Sequence, residues 1–541
     1  MKSKLIILLL LLCGVLNAQS FQFGKKGGGA STDYGYGMCV DNSGNIYTAG
    51  CYKSNASFEN VNVTSLGDFD IFIAKYNSAG SLLWFKSAGS SMKDEADKIF
   101  IGEDGNVYVG GTFQGVSHFD GITLTAGGVE LGEDIFIAKL NPAGEYQWVK
   151  QYGGASQDFI VDMSMINNDV FITGQYYGTF TAEGGISLPP NGSSTAKFVM
   201  RVGADGTPVW AKNTGGYPYI ATGTDKFYMA GIFGGTSNFD GVMLTSNGPA
   251  DLFLGAYDLN GTQLWVKQFG GSGSENMRSL CFDRASNNIY WAGCFQNSMT
   301  MGSNNLTSTG QYDIFVSKFD VNGNNIWVKS AGGANYDFAN ATVVDAQGSV
   351  FVSGYCMETA TFGNTNVVSS GQGDAYIAKY NSNGDFQWVK IGGGSGQDVG
   401  NCLRTDNAGN IFLTGFFSNS AVFGSINMTG YGSADYMLIK MGDLVGIHSP
   451  RETLSSFRLN QNYPNPFNPS TKISFDIVKA GAVKLTVSDI NGKEVAELVN
   501  VSMNTGSYEV NFNAEKLSGG IYFYKLETAN GTDTKKMILV K

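Results

Sequence analysis

DEADKIFIGEDGNVYVGGTF at residues 94–113 and DIFIAKLNPAGEYQWVK at residues 134–150 define the repeating unit of this chain. β-Branched and aromatic residues form four short runs, which Gly, Asn and Asp residues separate. Such runs are typical of β-strands joined by turns. Residues 94–150 therefore predict four antiparallel strands, named A to D here. Strand A opens at Asp94, strand B closes at Gly111, strand C opens at Asp134 and strand D carries Trp148.

The landmarks of this unit return along the chain about every 60 residues. The glycine that closes strand B falls at Gly50, Gly111, Gly174, Gly231, Gly293, Gly354 and Gly415. The tryptophan of strand D falls at Trp84, Trp148, Trp210, Trp265, Trp327 and Trp388, one fewer. Phe23-Gly24-Lys25 lies about 60 residues before Trp84 and takes the place of the missing copy.

This order of strands predicts a closed ring. The chain opens with a strand of type D near Phe23, and its last repeat ends with a strand C at Asp435 to Lys440. We expect the first strand to complete the last sheet, because closure leaves no unpaired edge. An open array would carry atypical end repeats instead. The sequence thus predicts an all-β protein whose residues 19–441 form a seven-bladed β-propeller closed by an N-terminal strand. Blade four, Tyr217 to Lys267, departs most from the pattern.

Composition and charge exclude some classes of partner. The chain has 541 residues, 43% of them hydrophobic, and a formal net charge of -11. A nucleic-acid partner is not expected, because neutralising phosphates needs a basic face.

The first 18 residues predict a secretory signal peptide. Lys2 and Lys4 precede the apolar run Leu5 to Leu12, and Ala18 supplies a small residue at the cleavage point. A lipoprotein signal would place a small residue before Cys13, where Leu12 stands. No later run approaches the roughly 20 apolar residues that cross a bilayer, so no transmembrane span is expected in the mature protein.

The cysteines predict buried thiols in preference to disulfides. Six follow the signal peptide: Cys39, Cys51, Cys281, Cys294, Cys356 and Cys402. If Cys39 lies opposite Tyr47, Cys51 is about 13 Å farther along the strand, beyond the reach of a disulfide. The sequence has neither a CxxC motif nor a Cys/His cluster, so no zinc site and no cofactor are predicted.

Strand direction sorts the connections between two faces. The short A–B and C–D turns share one face. The D–A connections and the long B–C loops share the other, which is the candidate binding face. Two sets of acidic residues open onto it. Those leading strand A are Asp33, Asp94, Asp158, Glu275, Asp337 and Asp398. Those leading strand C are Asp70, Asp134, Asp251, Asp313, Asp374 and Asp435, and Thr195 stands at this position in repeat three.

These carboxylates have two interpretations. They could bind cations such as calcium, or a cationic partner, near the mouth of the channel. Alternatively, each accepts backbone N–H groups at its own strand entry, which is favoured because every repeat carries one. The B–C loops also repeat a large side chain, for which we expect a small core under each loop. These residues are Phe58, Phe119, Phe180, Phe239, Met301, Phe362 and Phe423.

Enzyme chemistry finds little support in the ring. Its arginines are Arg201, Arg278, Arg284 and Arg404, on different strands and turns, and its only histidine is His118. No catalytic residue is assigned. The alternative is a hydrolase or lyase of extracellular polysaccharide. It would need an asymmetric pocket that holds Arg278 or His118 beside two or more carboxylates.

In its Gly-Asn-(Ile/Val)-Tyr-x-x-Gly and Asp-x-Phe-x-x-Lys patterns the chain resembles the β-propeller repeats of secreted bacterial proteins (SBBP-like repeats). The resemblance covers most of residues 19–441. It implies architecture but not activity, since propellers host hydrolases, lyases, lectins and scaffolds.

After a linker at residues 442–460, residues 461–541 predict a small immunoglobulin-like β-sandwich. Strands are expected at residues 472–477, 483–488, 508–513, 521–527 and 536–540, with turns at Asn491-Gly492 and Gly519-Gly520.

This segment resembles the type A C-terminal sorting domain of the type IX secretion system of Bacteroidetes. The matching motifs are NYPNPFNP at residues 462–469, DING at residues 489–492 and SGGIY at residues 518–522. The resemblance implies recognition by that secretion machinery and an extracellular or outer-membrane surface location. The sequence therefore predicts a secreted or cell-surface binding or adhesion module for an extracellular glycan or protein.

Overall fold

The structure is a computed structural model. It describes residues 19–128, 132–189, 195–443, 458–462, 464–477, 481–503, 506–528 and 531–541. The predicted signal peptide and most of the predicted linker lie outside these ranges. Two compact units fall within residues 1–444 and residues 445–541.

Within the described residues of the first unit, antiparallel strands A to D recur in seven sets, here called repeats 1 to 7. The A strands are Tyr34–Val40, Asp94–Ile101, Asp158–Ile166, Tyr217–Thr222, Glu275–Asp283, Asp337–Val344 and Val399–Thr405. The B strands are Ile46–Phe58, Val107–Gln114, Asp169–Tyr176, Lys226–Phe233, Asn288–Phe295, Val350–Cys356 and Ile411–Phe417. The C strands are Val61–Tyr76, Glu133–Leu140, Ala196–Val202, Asp251–Asp258, Asp313–Asp320, Asp374–Tyr380 and Asp435–Asp443. The D strands are Leu82–Ala88, Tyr146–Tyr152, Pro208–Asn213, Gln263–Gly271, Asn325–Gly333 and Phe386–Gly392, and Gln19–Gly29 stands in this position in repeat 7.

The N-terminal strand lies in the last sheet, as its sequence predicts. Gln19–Gly29 pairs antiparallel with Asp435–Asp443, with Phe23 opposite Lys440. The C strand of repeat 7 is thereby paired on both edges, because Ile411–Phe417 takes its other side. The predicted register of the first repeat is also observed, since Cys39 lies opposite Tyr47.

The B–C connections are β-hairpins, whereas the sequence indicated loops. In repeat 1 the hairpin continues strands B and C themselves. The separate hairpins are Val116–Phe119 with Ile122–Thr125, Phe180–Ala182 with Ile186–Leu188, Thr236–Phe239 with Val242–Thr245, Ser298–Met301 with Asn304–Thr307, Thr359–Phe362 with Thr365–Val368, and Ser420–Phe423 with Ile426–Thr429. A 3-10 turn at Glu183–Gly185 joins the two strands in repeat 3.

Each hairpin carries its large apolar residue into the space between two repeats. Phe58 is fully buried, and its ring centroid lies 4.7 Å from that of Phe85 in its own repeat and 5.9 Å from that of Tyr436 in repeat 7. Gly27 of the N-terminal strand pairs opposite Phe58. The hairpin therefore covers the preceding repeat as well as its own, which is broader than the small core predicted beneath each loop.

The contacts between neighbouring repeats are here called joints. The tryptophans of strand D pack at the outer side of these joints. Trp84 donates its indole N–H to the Pro142 carbonyl at 3.1 Å, in the C–D turn of the next repeat. A Cβ on Gly144 in that turn would lie 3.0 Å from the Trp84 ring, so only glycine fits. Phe23 stands in the same relation to Gly80 of the first repeat. The apolar rings thus fill the gap that widens away from the axis.

The second unit contains two antiparallel sheets over one hydrophobic core. One sheet holds Arg458–Leu459, Ser470–Ile477 and Gly506–Asn513, and the other holds Glu494–Met503, Gly481–Asp489, Gly520–Thr528 and Gly531–Leu539. Ile473, Leu485 and Tyr524 from both sheets meet in the core. The strand Glu494–Met503 was not predicted, because its sequence EVAELVNVSM lacks a clear alternation of apolar and polar residues.

The first motif of this unit is fixed by hydrogen bonds. Asn462 is 2% exposed. Its backbone N–H donates to the Tyr524 hydroxyl at 2.8 Å, and its Nδ2 donates to Thr471 Oγ1 at 3.0 Å and to the Pro464 carbonyl at 3.1 Å. The backbone and the side chain of Asn462 together therefore join the extended entry segment to both sheets.

Candidate binding site on the axis of the repeats

The seven A strands surround one cavity of about 350 Å³. Each A strand packs against the A strand of the repeat before and after it, and the A strand of repeat 7 packs against that of repeat 1. The cavity therefore lies where all the repeats meet. Sites of this kind, at the meeting point of many elements, are common places for ligands.

A β-bulge displaces one residue in six of the seven A strands, and four of these residues line the cavity. The pairing register slips between Gly35 and Gly37, for example, and leaves Tyr36 without an opposite residue. A bulge re-aims the side chain that it carries. The bulged residues are Tyr36, Asp97, Val161, Arg278, Asn340 and Asn401. Tyr217–Thr222 of repeat 4 pairs without a bulge.

The two bulged asparagines also connect neighbouring repeats. Asn340 Nδ2 donates to the Gly400 carbonyl at 3.2 Å, and Asn401 Nδ2 donates to the Gly35 carbonyl at 3.0 Å. Other side chains accept backbone N–H groups across the same joints: Ile220 N–H bonds to Asp162 Oδ2 at 3.0 Å and Thr342 N–H to Ser279 Oγ at 2.8 Å. Backbone groups along the cavity thus find partners in the adjacent repeat.

The walls of the cavity carry more positive than negative charge. Lys98, Arg278, Arg284 and Arg404 line it, and Asp162 is the one carboxylate among its described lining residues. This excess stands out in a chain whose net charge is -11. The cavity therefore provides an environment for an anionic group.

Three of these cations have partners within the protein. Lys98 Nζ lies 3.1 Å from Asp162 Oδ1. Burial lowers the pKa of Lys98, but Asp162, Tyr219 and Asp97 together raise it above its usual value, so the ammonium is retained at neutral pH. Arg284 lies 3.9 Å from Glu103.

The third partner is aromatic. The Arg404 guanidinium lies 5.7 Å from the centre of the Phe100 ring, within the range of a cation–π contact. Arg404 Nη1 also donates to the Leu403 carbonyl at 2.8 Å.

Arg278 is the exception. Its side chain is exposed, and across the described residues it makes neither a hydrogen bond nor an ion pair. It lies close enough to Tyr355 and Tyr217 to act on their hydroxyls: burial raises the pKa of both, and the nearby guanidinium opposes that rise. Asp97, at the corresponding position of repeat 2, is held by burial and by repulsion from Glu95 at a pKa of about 8.

Aromatic side chains stack near Arg278, beginning with Tyr355. Phe338 follows the acidic residue of its A strand, and its ring lies 5.1 Å from that of Tyr355 at an interplanar angle of 24°. Tyr336 continues the stack at 6.2 Å and 5° and is 40% exposed. Tyr312 joins the same group, 5.7 Å from Phe338. These rings present an apolar surface next to the cation of Arg278.

The twelve acidic residues predicted on the candidate face lie at the joints between repeats. They form pairs, in which a strand C carboxyl meets the strand A carboxyl of the next repeat. A Cβ placed on Gly153 would meet both Asp134 and Asp158, and one on Gly393 would meet both Asp374 and Asp398. The pairs are Asp435 with Asp33, Asp70 with Asp94, Asp134 with Asp158, Asp251 with Glu275, Asp313 with Asp337, and Asp374 with Asp398.

The aspartates of these pairs accept backbone N–H groups. Asp158 Oδ2 accepts from Gly154 at 2.7 Å, and Asp33 accepts from Gly29 at 2.8 Å and from Lys53 at 3.1 Å. The strand C member Asp134 accepts from Gly127 at 2.9 Å. Glu275 is 1% exposed, and its two oxygens have no hydrogen-bond partner among the described atoms. Nearly every pair therefore anchors a connection of the candidate face.

Burial and mutual repulsion favour protonation within the pairs. Burial above all raises the pKa of Asp33, Asp94, Asp337 and Asp398 to about 7. It raises the pKa of Asp158 and Glu275 to about 8, and the neighbouring carboxylate adds to the rise. Asp134 reaches a pKa of about 6. In two pairs the strand A member is the weaker acid: the pKa of Asp94 is about 7 and that of Asp70 about 6, and the pKa of Asp158 is about 8 and that of Asp134 about 6.

Metal-ligating side chains do not cluster among the described residues. No group of three or more His, Cys, Asp or Glu side chains is arranged to hold a metal ion there. The six cysteines are free thiols, and five are buried.

The hydrolase or lyase alternative needs a pocket that holds Arg278 or His118 beside two or more carboxylates, and these two residues lie apart from each other. His118 is exposed on a hairpin, where its Nδ1 lies 3.1 Å from Thr123 Oγ1, and it does not line the cavity. Arg278 lines the cavity with one carboxylate, Asp162, whereas a catalytic site was expected to provide two.

Sequence reasoning missed the convergence of the arginines. In the sequence, Arg278, Arg284 and Arg404 fall on different strands and turns, yet all three line one cavity. A signal was present in the sequence. Three positions after the leading acidic residue, the repeats carry Tyr36, Asp97, Val161, Arg278, Asn340 and Asn401, so this position differs from repeat to repeat.

Comparison with protein families agrees with both units. Residues 22–58 match the model described as a beta-propeller repeat. Residues 461–541 match the model described as a secretion system C-terminal sorting domain. The chain thus carries a match to a beta-propeller repeat and a match to a secretion sorting domain. The sorting domain indicates export to the cell surface or the extracellular space. Among the described residues, no helix has the length and apolar character of a membrane span.

Individual relatives are distant. An uncharacterized WD repeat-containing protein of Acanthamoeba polyphaga mimivirus is 24% identical over 76% of this chain, which spans 37% of that protein's length. A solved structure of a polysaccharide lyase, an ulvan lyase, is 11% identical with a TM-score of 0.39, over 77% of this chain and 97% of its own. A glycoside hydrolase of family 32 from Bifidobacterium adolescentis is 9% identical with a TM-score of 0.25, over 96% of this chain and 95% of its own. These structural similarities assign no function.

Proposed function

We propose that the seven repeats form a closed, seven-bladed β-propeller and that the sorting domain is an immunoglobulin-like sandwich. Closure is supported by the pairing of Gln19–Gly29 with Asp435–Asp443. It is also supported by the packing of the first A strand against the last, and by the contact of Phe23 with Gly80 that repeats the Trp84–Gly144 contact. Two sheets over one core support the sandwich.

We propose further that the propeller is an extracellular binding or adhesion module whose ligand enters the axial cavity from the candidate binding face. The observation that carries this proposal is the break in symmetry at the bulge. The acidic pairs and the tryptophans repeat because every joint needs them. The bulged residues differ from repeat to repeat, and four of them, Tyr36, Arg278, Asn340 and Asn401, line one cavity, in which Arg278 has no partner among the described residues. A residue set that serves only the fold has no reason to vary in this way.

The twelve acidic residues of the face serve, in this proposal, as the framework that holds the D–A connections around the entrance. Calcium then has no part in binding. The mature protein would comprise the propeller at residues 19–441, the linker at residues 442–460 and the sorting domain at residues 461–541. The sorting domain would contact the type IX secretion machinery.

The proposed function is tested with the full secreted chain on a glycan array and against candidate surface proteins, with calcium and with a chelator. We expect retention of a ligand that is unchanged by the chelator, with no new product by mass spectrometry. Shortened or unsaturated saccharides would instead establish the hydrolase or lyase. Binding that requires calcium would assign the acidic residues a direct role.

A further inference from the structure

We propose that the axial cavity binds an anionic saccharide and that Arg278 holds its negatively charged group. This inference rests on the binding role proposed above and specifies the chemical class of the ligand. The negative group is a uronate carboxylate or a sulfate ester, because both present oxygens that a guanidinium can bind through two parallel hydrogen bonds.

The charges of the cavity support this ligand class. Lys98 forms an ion pair with Asp162, and Arg284 forms one with Glu103. Arg404 makes a cation–π contact with the Phe100 ring. Arg278 alone among the four is exposed without a partner in the described residues. An arginine in a cavity that holds several other cations, with no anion to pair with, is destabilised by their repulsion. An anionic ligand would remove that repulsion and gain directed hydrogen bonds.

A second, independent observation comes from Asn340. This residue is 8% exposed and lines the same cavity, and its Oδ1 has no hydrogen-bond partner among the described atoms. Its Nδ2 is already committed to the Gly400 carbonyl. A buried acceptor without a donor is costly, and a saccharide hydroxyl is a donor of suitable size. The cavity therefore provides one cation and one hydroxyl acceptor.

The aromatic stack next to Arg278 favours a saccharide over a simple anion. Tyr355 lies near Arg278 and stacks on Phe338, which stacks on Tyr336, and the Tyr336 ring is 40% exposed. The carbon face of a sugar ring can bury against such rings. A cavity of about 350 Å³ lies at the lower end of the range for ligand pockets. It suits a terminal or branching sugar rather than a long internal stretch of polysaccharide.

An acidic peptide is disfavoured by the edges of the A strands. A peptide commonly binds a propeller or sheet by adding a strand to free backbone groups. Here the carbonyls of Gly35 and Gly400 accept from Asn401 and Asn340, and the N–H groups of Ile220 and Thr342 donate to side chains of the adjacent repeat. These positions along the edge are therefore occupied.

The test measures binding to the full chain by titration calorimetry with three probes of equal length. They are oligogalacturonate, chondroitin sulfate oligomers and neutral dextran oligomers. The variants are Arg278→Gln, Arg278→Lys and the control Lys390→Gln. Lys390 lies exposed on a D strand outside the cavity, so its substitution removes the same unit of charge without touching the site.

We expect one of the two anionic probes to bind, the neutral probe not to bind, and Arg278→Gln to raise Kd by roughly 10- to 100-fold. The Kd of Arg278→Lys should lie between those of the unmodified protein and Arg278→Gln, because an ammonium retains the charge but loses the paired hydrogen bonds. Lys390→Gln should change Kd by less than about twofold. Since Arg278 has no partner among the described residues and is repelled by the other cations, the melting temperature of Arg278→Gln should not fall below that of the unmodified protein.

Equal affinity of Arg278→Gln and the unmodified protein for the anionic probe would overturn this inference, as would equal binding of dextran. Either result leaves the proposed binding module intact, because a ligand is still retained. Failure of all three probes overturns the anionic-saccharide site. The array and protein screen described above then decides separately whether the module binds anything.

Discussion

Asn401 Nδ2 donates a hydrogen bond to the Gly35 carbonyl at 3.0 Å, which joins the last and the first A strand across 366 positions of sequence. The same two repeats share the sheet in which Gln19–Gly29 pairs with Asp435–Asp443. Together these contacts form the joint between repeats 7 and 1, so the stability of this joint should depend on the N-terminal strand.

Removal of residues 19–29 should expose the free edge of Asp435–Asp443. Unpaired edge strands template association with other chains, so we expect a lower melting temperature and dimers or aggregates by size-exclusion chromatography with light scattering. The control is the chain that starts at residue 19. A monomer of unchanged stability after the deletion would show that the N-terminal strand does not close the ring.

Gly144→Ala should destabilise the propeller more than Gly105→Ala. Both glycines lie in turns at positive φ, +87° and +75°, so alanine costs about 1 kcal/mol of backbone strain at each. Only at Gly144 would the new Cβ meet the Trp84 ring, at 3.0 Å, whereas nothing lies within 4 Å of it at Gly105. Overpacking adds about 1–3 kcal/mol at Gly144. Chemical denaturation of the two variants measures the difference, and equal losses would contradict the packing of the joint.

The propeller should be more stable at pH 5.5 than at pH 8.5. Burial raises the pKa of Asp33, Asp94, Asp337 and Asp398 to about 7 and that of Asp158 and Glu275 to about 8 in the folded state. Unfolded carboxyls have pKa values of about 4, so between about pH 4 and pH 8 the folded protein binds more protons than the unfolded chain. Stability therefore falls as pH rises through this interval. Thermal melting at a series of pH values should show a loss of several degrees.

Asp158→Asn provides a local test of the same joints. The asparagine oxygen can keep the hydrogen bond from Gly154, and its Nδ2 can donate to Asp134 where the shared proton stood. We expect the variant to melt higher than the unmodified protein at pH 8.5 and to differ little at pH 5.5. Asp240→Asn, on an exposed hairpin, is the matched control and should have no effect at either pH. A loss of stability at pH 8.5 would mean that the Asp158 carboxylate is needed in its charged form.

Asn462→Ala should destabilise the sorting domain by about 1–3 kcal/mol, because it removes the Nδ2 donor from the buried Thr471 Oγ1 and leaves the Pro464 carbonyl with only the bond from the Thr471 hydroxyl at 2.8 Å. Asn468 in the same motif is exposed, so Asn468→Ala should leave stability unchanged. The two variants are compared by denaturation of the full chain, with the transition of the sorting domain followed separately. Equal stability of the sorting domain in Asn462→Ala and Asn468→Ala would contradict a structural role for Asn462.

The architecture of the repeats could be predicted because its signals are local and periodic. Each tryptophan of strand D needs a glycine in the next C–D turn, and each joint needs its acidic pair, so both recur at a constant spacing. Phe23 could be recognised as the missing strand D residue for the same reason. The paired hairpins were less visible, since four-residue strands such as Val116–Phe119 carry too few residues to show an alternation.

The cavity could not be predicted, because its residues meet only through tertiary structure. Arg278 and Arg404 occupy different depths of A strands from repeats 5 and 7, and the bulge that turns Arg278 toward the axis is a displacement of one residue in a pairing register. Register slips are set by packing against neighbouring strands rather than by local sequence preference. The pairing of carboxyls between repeats was hidden for a related reason: Asp134 and Asp158 belong to different sheets.

The position of Gln19–Gly29 in the last sheet also constrains the order of folding. Repeats 1 to 6 are each built from contiguous sequence and can form as soon as their own strands are available, whereas repeat 7 must bring together strands separated by most of the propeller. Such high contact order slows folding, although the entropy of closing so long a loop grows only slowly with its length. The final sheet is therefore expected to form last. A chain arrested before Asp435 during translocation would leave Gln19–Gly29 without this partner strand, at an edge that can associate with other chains.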